Sequence, residues 1–246
     1  MEGAKQIKHL ALELGGSDPT IVCDDADLDI VADTIVYQGR YRNCGQSCTS
    51  VKRLYVFDTI FDKFLDVLTE RVKAIRVGQG LDPAVHMGPL HTESQRENVE
   101  TMVNEAVEQG GKAVAGGHRL SDGEYSRGYF YEPTLLTDVD ASSRIWVEEC
   151  FGPALPVSRV ADVDEAIKKA NDTNFGLGAC VWSKSESRLK RFEDGIESGM
   201  LWENSPPITV PEASFGGVKD SGVGRELGIV GLMEYLEIKS VRKLIG

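Results

Sequence analysis

The stretch RLYVFDTIFDKFLDVLTERVKAI, residues 53–75, joins two segments of different periodicity. The first segment, RLYVFD, is short, apolar and bounded by charged residues, which is typical of a buried strand. In the second segment, Phe61, Phe64, Leu68 and Val72 recur at helical spacing and would lie on one face. The stretch therefore predicts a strand that leads directly into an amphipathic helix.

The same alternation of strand and helix continues on both sides of this stretch. Strand patterns occupy residues 9–14, 112–117, 129–139, 154–160, 178–183, 199–204 and 238–245. Helical patterns occupy residues 25–41, 92–111, 162–173, 186–196 and 224–238, of which the last contains interior glycines. Together they predict an α/β fold with an open, largely parallel sheet flanked by helices. In such sheets we expect functional residues in the loops at the carboxyl ends of strands.

Composition argues against several classes of protein. Lys and Arg number 27 against 39 Asp and Glu, and the net charge of −12 opposes a nucleic-acid partner, whose phosphates require a basic face. No apolar run approaches the ~20 residues that a membrane-spanning helix needs, so we expect no membrane partner. Five cysteines in 246 residues are too sparse for a disulfide framework and favour the reducing cytoplasm.

Two of the cysteines lie four residues apart in NCGQSCTS, residues 43–50. A metal site needs about four ligands, and the four histidines are scattered, so we predict no metal there. A Cys44–Cys48 disulfide would close a very small loop in a reducing compartment and is disfavoured. Two interpretations stay open, namely small buried apolar residues or a nucleophile on a turn.

As a nucleophile, Cys48 would lie at the N-terminal end of a short helix, where the helix dipole and backbone N–H groups favour the thiolate. Those N–H groups can also receive the oxyanion that forms when a thiolate attacks a carbonyl. No histidine lies nearby in the sequence, so a carboxylate is a candidate base. Glu13, at the end of a strand pattern and before Gly15 and Gly16, is such a candidate, although a solvated strand-end charge is the simpler explanation of its position.

Four segments resemble motifs of the aldehyde dehydrogenase superfamily. They are LELGGSDP (residues 12–19), NCGQSCTSVKR (43–53), EECFGP (148–153) and SFGGVKDSGVGRELG (214–228). These resemble, respectively, the glutamate motif, the cysteine motif, the E-E-x-F-G-P motif and the penultimate motif of that family. The four segments occur in family order and extend over nearly the whole chain, so the resemblance is specific.

The resemblance implies a reaction for two of the candidate residues. Cys48 would attack an aldehyde to give a thiohemiacetal, a hydride would pass to NAD or NADP, and a thioester would remain. Glu13 would activate the water that hydrolyses this thioester. A glutamate at this position favours hydrolysis to a free acid over transfer of the acyl group to coenzyme A.

The resemblance also implies cofactor and substrate residues. Glu149 would hold the ribose hydroxyls of the nicotinamide half of the cofactor, and Phe151 would pack near the nicotinamide. Asn204 matches a position near the family's active site, and Phe215 matches its substrate region. Arg42 falls where the family often has an aromatic residue, so we expect an anionic aldehyde, either glyceraldehyde 3-phosphate or succinate semialdehyde, with lactaldehyde as a neutral alternative.

Simpler interpretations of the same side chains remain open. By composition alone, Phe151 and Phe215 are ordinary core aromatics. Arg42, with its neighbour Arg40, equally fits a surface position exposed to solvent or paired with Asp or Glu.

The chain resembles the C-terminal, catalytic half of the family, without the N-terminal half that binds most of the dinucleotide. By this resemblance, residues 1–233 form the catalytic domain and residues 234–246 a C-terminal oligomerisation strand. We expect a homo-oligomer in the full-length context, and weak NAD(P) binding and poor activity for the chain alone. The alternative is a non-catalytic fragment that acts only in folding or subunit assembly.

Overall fold

A seven-stranded sheet forms the centre of the protein in the computed structural model, which describes residues 2–245. Its strands are β1 Pro19–Val22, β2 Arg53–Phe57, β3 Lys112–Ala115, β4 Thr134–Thr137, β5 Ala154–Val160, β6 Gly178–Trp182 and β7 Met200–Glu203. Their order across the sheet is β7-β6-β1-β2-β5-β4-β3. Every neighbouring pair is parallel except β3 and β4, which are antiparallel. The predicted open, largely parallel α/β sheet is therefore confirmed.

Helices and short strand pairs complete the fold. The α-helices are α1 Leu28–Thr34, α2 Phe61–Lys73, α3 Glu93–Glu108, α4 Arg144–Val147, α5 Val163–Asn171, α6 Glu186–Gly195 and α7 Gly228–Met233. A π-helical turn spans Ile35–Arg40, and 3-10 turns span Glu2–Lys5, Arg42–Gly45, Asp58–Ile60 and Gly123–Ser126. Two-residue strands pair Leu12–Glu13 with Gly222–Val223, Arg119–Leu120 with Phe130–Tyr131, and Phe175–Gly176 with Val218–Lys219. No described helix is both long enough and apolar enough to cross a bilayer.

The core forms where the sequence pattern places it. All five residues of β2 are buried, and helix α2 buries Phe61, Phe64, Leu68 and Val72. Phe64 and Leu68 are fully buried, and burying side chains of this size contributes about 1.5–3 kcal/mol each. This packing confirms the predicted strand–helix unit.

Three predicted segments differ from the structure. The strand pattern of residues 9–14 pairs only at Leu12–Glu13, and the helical pattern of residues 224–238 is helical only over Gly228–Met233. Residues 238–245 form no strand in the single chain, because a strand needs a neighbour for its backbone hydrogen bonds. The assignment of residues 234–246 to oligomerisation stays a prediction, and Gly246 lies outside the described residues.

Glu13, Cys48 and Glu149 lie before the amino ends of strands, which corrects the expected carboxyl edge for these three residues. The glutamate motif directly precedes β1, the cysteine motif precedes β2, and the E-E-x-F-G-P motif precedes β5. Because these three neighbouring strands are parallel, their entry loops meet at one edge of the sheet. Arg53 fastens this edge, since its buried guanidinium donates to the carbonyl oxygens of Ser17 at 2.8 Å and Ala170 at 2.8 Å.

Candidate active site

A left-handed turn precedes the candidate nucleophile. Asn43, Cys44 and Gly45 have φ angles of 52°, 57° and 70°, a conformation that costs non-glycine residues roughly 1–2 kcal/mol each. The Asn43 side-chain amide stabilises the turn by donating to the Gln46 carbonyl at 2.9 Å, and Cys44 is fully buried. The turn reverses the chain, so that residues 47–50 lie over the entrance of β2.

Gly45 is in close backbone contact with the E-E-x-F-G-P loop. A Cβ at position 45 would lie 2.2 Å from the Gly152 carbonyl oxygen, closer than any real contact. Its positive φ adds a second requirement for glycine. Gly45 therefore sets the distance between the cysteine loop and the loop that carries Glu149.

We expect Gly45→Ala to lower the free energy of unfolding by about 3 kcal/mol, because strain at positive φ adds to overpacking against the backbone. Urea unfolding followed by circular dichroism measures this change as a lower midpoint. Gly80→Ala is the control, since a Cβ there meets no atom within 4 Å. Equal midpoints for the two variants would contradict the packing role of Gly45.

Cys48 lies in a turn, and its side chain is partly buried. The prediction of a helix beginning at Cys48 is wrong, because the preceding 3-10 turn ends at Gly45 and residues 47–50 form an isolated turn. The Thr49 backbone N–H nevertheless bonds the sulfur and favours the thiolate. The net effect on the pKa of Cys48 is upward, since burial outweighs the favourable charge of Lys52.

Cys44 is more deeply buried than Cys48. Its side chain has no exposed surface, and burial raises the pKa of the Cys44 thiol to about 12. The interpretation as a small buried apolar residue therefore holds for Cys44, whereas Cys48 is the accessible thiol of the pair.

Glu13 lies near Cys48 on the strand pair Leu12–Glu13 and Gly222–Val223. Its Oε1 is 3.0 Å from the position that a Cβ on Gly216 would take. Burial and the neighbouring negative charge of Glu226 raise the pKa of Glu13, and Arg225 opposes this rise. The negative charge of Glu13 in turn acts on Cys48 and raises the pKa of its thiol. Glu13 is therefore not a solvated strand-end charge but a partly buried neighbour of the thiol.

Glu149 and Phe151 lie on the other side of the cysteine loop. The Gly16 N–H donates to Oε1 of Glu149 at 3.2 Å. The Glu149 Oε2 lies 2.3 Å from the position of a Cβ on Gly15, so a larger residue at position 15 would displace this carboxylate. The Phe151 ring is 6.0 Å from the Lys52 ammonium. The Gly15–Gly16 pair of the glutamate motif thus makes room for the carboxylate of the third motif.

Lys52 connects the cysteine loop with Glu149, although no sequence pattern marks it as a site residue. Its ammonium donates to the carbonyl oxygens of Ser47 at 2.8 Å and Cys48 at 2.6 Å, and lies 3.1 Å from Oε1 of Glu149. The Lys52 side chain is 1% exposed. A lysine beside an arginine at the start of a strand normally indicates a solvated charge, so only the three-dimensional structure reveals this role.

Arg42 and Arg40 have different environments. Arg42 is exposed and lines a cleft of about 610 Å³ together with Gln46, Thr49 and Ile208. Arg40 is fully buried, and its guanidinium donates to the carbonyl oxygens of Cys150 and Ala154. Of these two arginines, only Arg42 is therefore open to a ligand, in a cleft lined by Ser47 and Thr49 on either side of Cys48 in the sequence.

Phe215 lies beside this region. It exchanges two backbone hydrogen bonds of 2.7 Å with Glu226, the neighbour of Glu13. It also lines a smaller pocket that shares Ile208 and Thr209 with the Arg42 cleft. The structure thus places Phe215 in a pocket that adjoins the Arg42 cleft.

Asn204 is not brought to the site. It follows β7 at the carboxyl edge of the sheet, about 13 Å along the strand from the edge that carries Cys48. Its amide accepts from the Ser183 N–H at 3.0 Å and donates to the Ser183 carbonyl at 2.9 Å. Both ends of the Asn204 amide thus bond the Ser183 backbone, and the assignment of Asn204 to the substrate stays a prediction.

The sequence and the fold of the chain are similar to those of known proteins. The profile of the aldehyde dehydrogenase family matches residues 1–241. Succinate-semialdehyde dehydrogenase (NADP(+)) 1 of Mycobacterium tuberculosis is 44% identical over 236 residues, which cover 96% of this chain and 50% of that protein. The chain thus spans about half the length of the curated relatives it matches.

Solved structures of similar proteins have the same fold. Betaine aldehyde dehydrogenase of Staphylococcus aureus, in complex with NAD+, has a TM-score of 0.90 and 38% identity over 94% of this chain and 46% of its own. Lactaldehyde dehydrogenase of Escherichia coli has a TM-score of 0.90 and 37% identity over 95% of this chain and 48% of its own. The chain belongs to the aldehyde dehydrogenase family.

Proposed function

We propose that the chain is the catalytic half of an NAD- or NADP-dependent aldehyde dehydrogenase that oxidises an aldehyde to a carboxylic acid. The observation that carries this proposal is the pairing of an accessible thiol, Cys48, with a partly buried carboxylate, Glu13, at one edge of the sheet. The family membership and the NADP(+)-dependent relative support it. We also propose that the protein is located in the cytoplasm and that the full-length protein is a homo-oligomer.

Cys48 supplies the nucleophile. Its thiolate attacks the carbonyl carbon and forms a thiohemiacetal, whose oxyanion needs hydrogen-bond donors. The Thr49 N–H already bonds the sulfur and stabilises the thiolate before attack. Loss of a hydride then leaves a thioester on Cys48.

Glu13 supplies the base for hydrolysis. Its raised pKa makes it a stronger base than an ordinary glutamate while it remains ionised above that pKa. A water beside Glu13 loses a proton to the carboxylate as it attacks the thioester, and Cys48 leaves as the thiolate. Hydrolysis to a free acid follows from this pairing.

Glu149 and Phe151 fit a nicotinamide dinucleotide. The carboxylate of Glu149 is 21% exposed and has acceptor oxygens for ribose hydroxyls, and the Phe151 ring offers an apolar surface. The nicotinamide, when bound, accepts a hydride. Most of the dinucleotide site lies in the half of the family's length that this chain does not match, so we expect weak cofactor binding and poor activity from the chain alone.

Arg42 supports an anionic aldehyde as the substrate. Its guanidinium is exposed in a cleft that also contains Ser47 and Thr49, the neighbours of Cys48. A planar cation of this kind suits bidentate contact with a carboxylate or phosphate. Succinate semialdehyde is favoured because the curated relative carries its name, with glyceraldehyde 3-phosphate and lactaldehyde as the alternatives.

A second candidate function is a non-catalytic domain that acts in folding or subunit assembly. The observation in its favour is the apolar surface of α7 and the tail, where Ile229, Leu232, Ile238 and Val241 are exposed. Such a domain would bind no aldehyde at Cys48, whereas buried Cys44 is slow to react with an alkylating reagent in either case. Protection of Cys48 from alkylation by an aldehyde therefore separates the two functions.

Iodoacetamide labelling tests the function without cofactor. We expect Cys48 to be alkylated far faster than Cys44, as read by peptide mass spectrometry, and succinate semialdehyde to protect Cys48 by reversible addition. We expect Arg42→Leu to weaken protection by succinate semialdehyde about tenfold, while protection by neutral propanal is unchanged. Arg127→Leu, at an exposed arginine outside the cleft, is the control.

Two outcomes would count against these assignments. Equal, slow labelling of Cys48 and Cys44 would favour the non-catalytic domain. Unchanged protection by both aldehydes in Arg42→Leu would remove Arg42 from the substrate site.

A further inference from the structure

Lys52 occupies the centre of the candidate site, yet no step of the proposed reaction uses it. Its ammonium has three N–H donors and three acceptors in contact: the Ser47 carbonyl at 2.8 Å, the Cys48 carbonyl at 2.6 Å and Glu149 Oε1 at 3.1 Å. The side chain is almost completely buried. A buried ammonium whose donors all have acceptors is fixed in direction, because releasing any one of them would leave a costly unpaired group.

The contacts of Lys52 join two loops of the chain directly and reach a third through Glu149. Ser47 and Cys48 belong to the turn before β2, and Glu149 belongs to the loop before β5. Glu149 in turn accepts from the Gly16 N–H, so the turn that follows Glu13 is fastened to the same carboxylate. Lys52 therefore holds the turn of the nucleophile against the proposed cofactor carboxylate, and that carboxylate holds the loop after Glu13.

Lys52 is also the cation that acts on the Cys48 sulfur. Around that sulfur, the positive charge of Lys52 faces the negative charges of Asp18 and Glu13. Burial lowers the pKa of Lys52, while the carboxylates of Asp18 and Glu149 raise it and Arg40 lowers it. Burial has the largest effect and lowers the pKa of Lys52 overall, while buried Asp18 and partly exposed Glu149 oppose it and support the ammonium form beside the Cys48 sulfur.

We propose that Lys52 is a positioning residue, which fixes the Cys48 turn against Glu149 and supplies the positive charge that favours the Cys48 thiolate. The inference rests on the proposed function, because it gives Lys52 a role in the same site. It goes beyond that function by assigning a group that neither touches substrate nor belongs to the predicted catalytic pair. Charge and hydrogen bonds are both required, so arginine and methionine at this position should differ.

The test is the pH profile of Cys48 alkylation by iodoacetamide in the full chain. We expect Lys52→Met to label Cys48 about tenfold more slowly at pH 7, with the midpoint of the profile moved to higher pH. Lys52→Arg keeps the charge, so its midpoint should stay near that of the native chain. Lys190→Met, which removes an exposed ammonium paired with Asp194 and Glu193, is the matched control and should change nothing.

An identical rate and midpoint in the native chain and Lys52→Met would overturn the proposal. A purely structural role would lower stability in urea and leave the midpoint where it is. If Lys52→Met fails to fold by circular dichroism, Lys52→Gln, which keeps two donors without charge, takes its place with the same expected shift. The labelling needs neither aldehyde nor cofactor, so failure of the proposed function, seen as absent aldehyde protection in the native chain, is a separate result.

Discussion

Acylation by p-nitrophenyl acetate is expected to give a burst of p-nitrophenolate with the native chain, and the Cys48→Ala variant is expected to lose that burst. An activated ester delivers its acyl group directly to the thiolate, so the thioester forms without hydride transfer. We expect acylation at position 48 to be abolished, because alanine carries no nucleophile. Stopped-flow absorbance measures the burst, and intact mass spectrometry detects the acetylated chain.

Cys44→Ala is the matched control for this experiment. Cys44 is fully buried four residues away, so its removal should leave the burst and the acetyl mass unchanged. A burst that survives in Cys48→Ala and disappears in Cys44→Ala would reverse the assignment of the two thiols.

Glu13→Gln is expected to keep the burst and to slow the steady-state rate that follows it by about a hundredfold. The amide cannot accept the proton of the attacking water, so the acetylated Cys48 should accumulate. The accumulated thioester is visible by intact mass and is discharged by hydroxylamine. Glu237→Gln, at an exposed position of the tail, is the control. Loss of the burst together with the steady state would show that Glu13 acts on the thiol instead.

The steady-state rate of hydrolysis of acetylated Cys48 should fall at low pH, because it depends on the ionisation of Glu13. Only ionised Glu13 is a base, so the rate falls as pH falls through its pKa. Burial and Glu226 raise that pKa, which places the midpoint above the ~4.3 of an ordinary glutamate. Glu226→Gln removes the like charge and should move the midpoint to lower pH.

The sequence predicts those elements whose pattern is local. Helices α2, α3, α5 and α6 have a clear apolar period or a capping residue, and each forms within a few residues of its predicted bounds. Strand β1 was not predicted, because it is only four residues long, begins with Pro19 and shows no alternation. Its place in the sheet depends on β2 and β6, and β6 lies more than 150 residues away. Non-local pairing of this kind leaves no local pattern.

In the candidate site, too, some residues are predictable from sequence motifs and others are not. The motifs contain Cys48, Glu13, Glu149 and Phe151, and the structure brings their loops to one edge. The sequence predicts a lowered pKa for Cys48, and this is wrong, since burial in the structure raises it. Burial of the thiol depends on how the loops assemble and leaves no sequence pattern. Lys52 was missed for the same reason, since its acceptors come from two separate loops.

The left-handed turn at residues 43–45 has a consequence for stereochemistry. Asn43 is an exposed L-residue held at a φ of 52°. This region of φ is unfavourable for L-residues and favourable for D-residues. D-asparagine at this position, introduced by chemical ligation, would occupy that region without the penalty that the L-form carries. The fold of the loop that carries the nucleophile therefore favours a D-residue at position 43. At position 45, both the positive φ and the Gly152 carbonyl oppose every genetically encoded residue other than glycine.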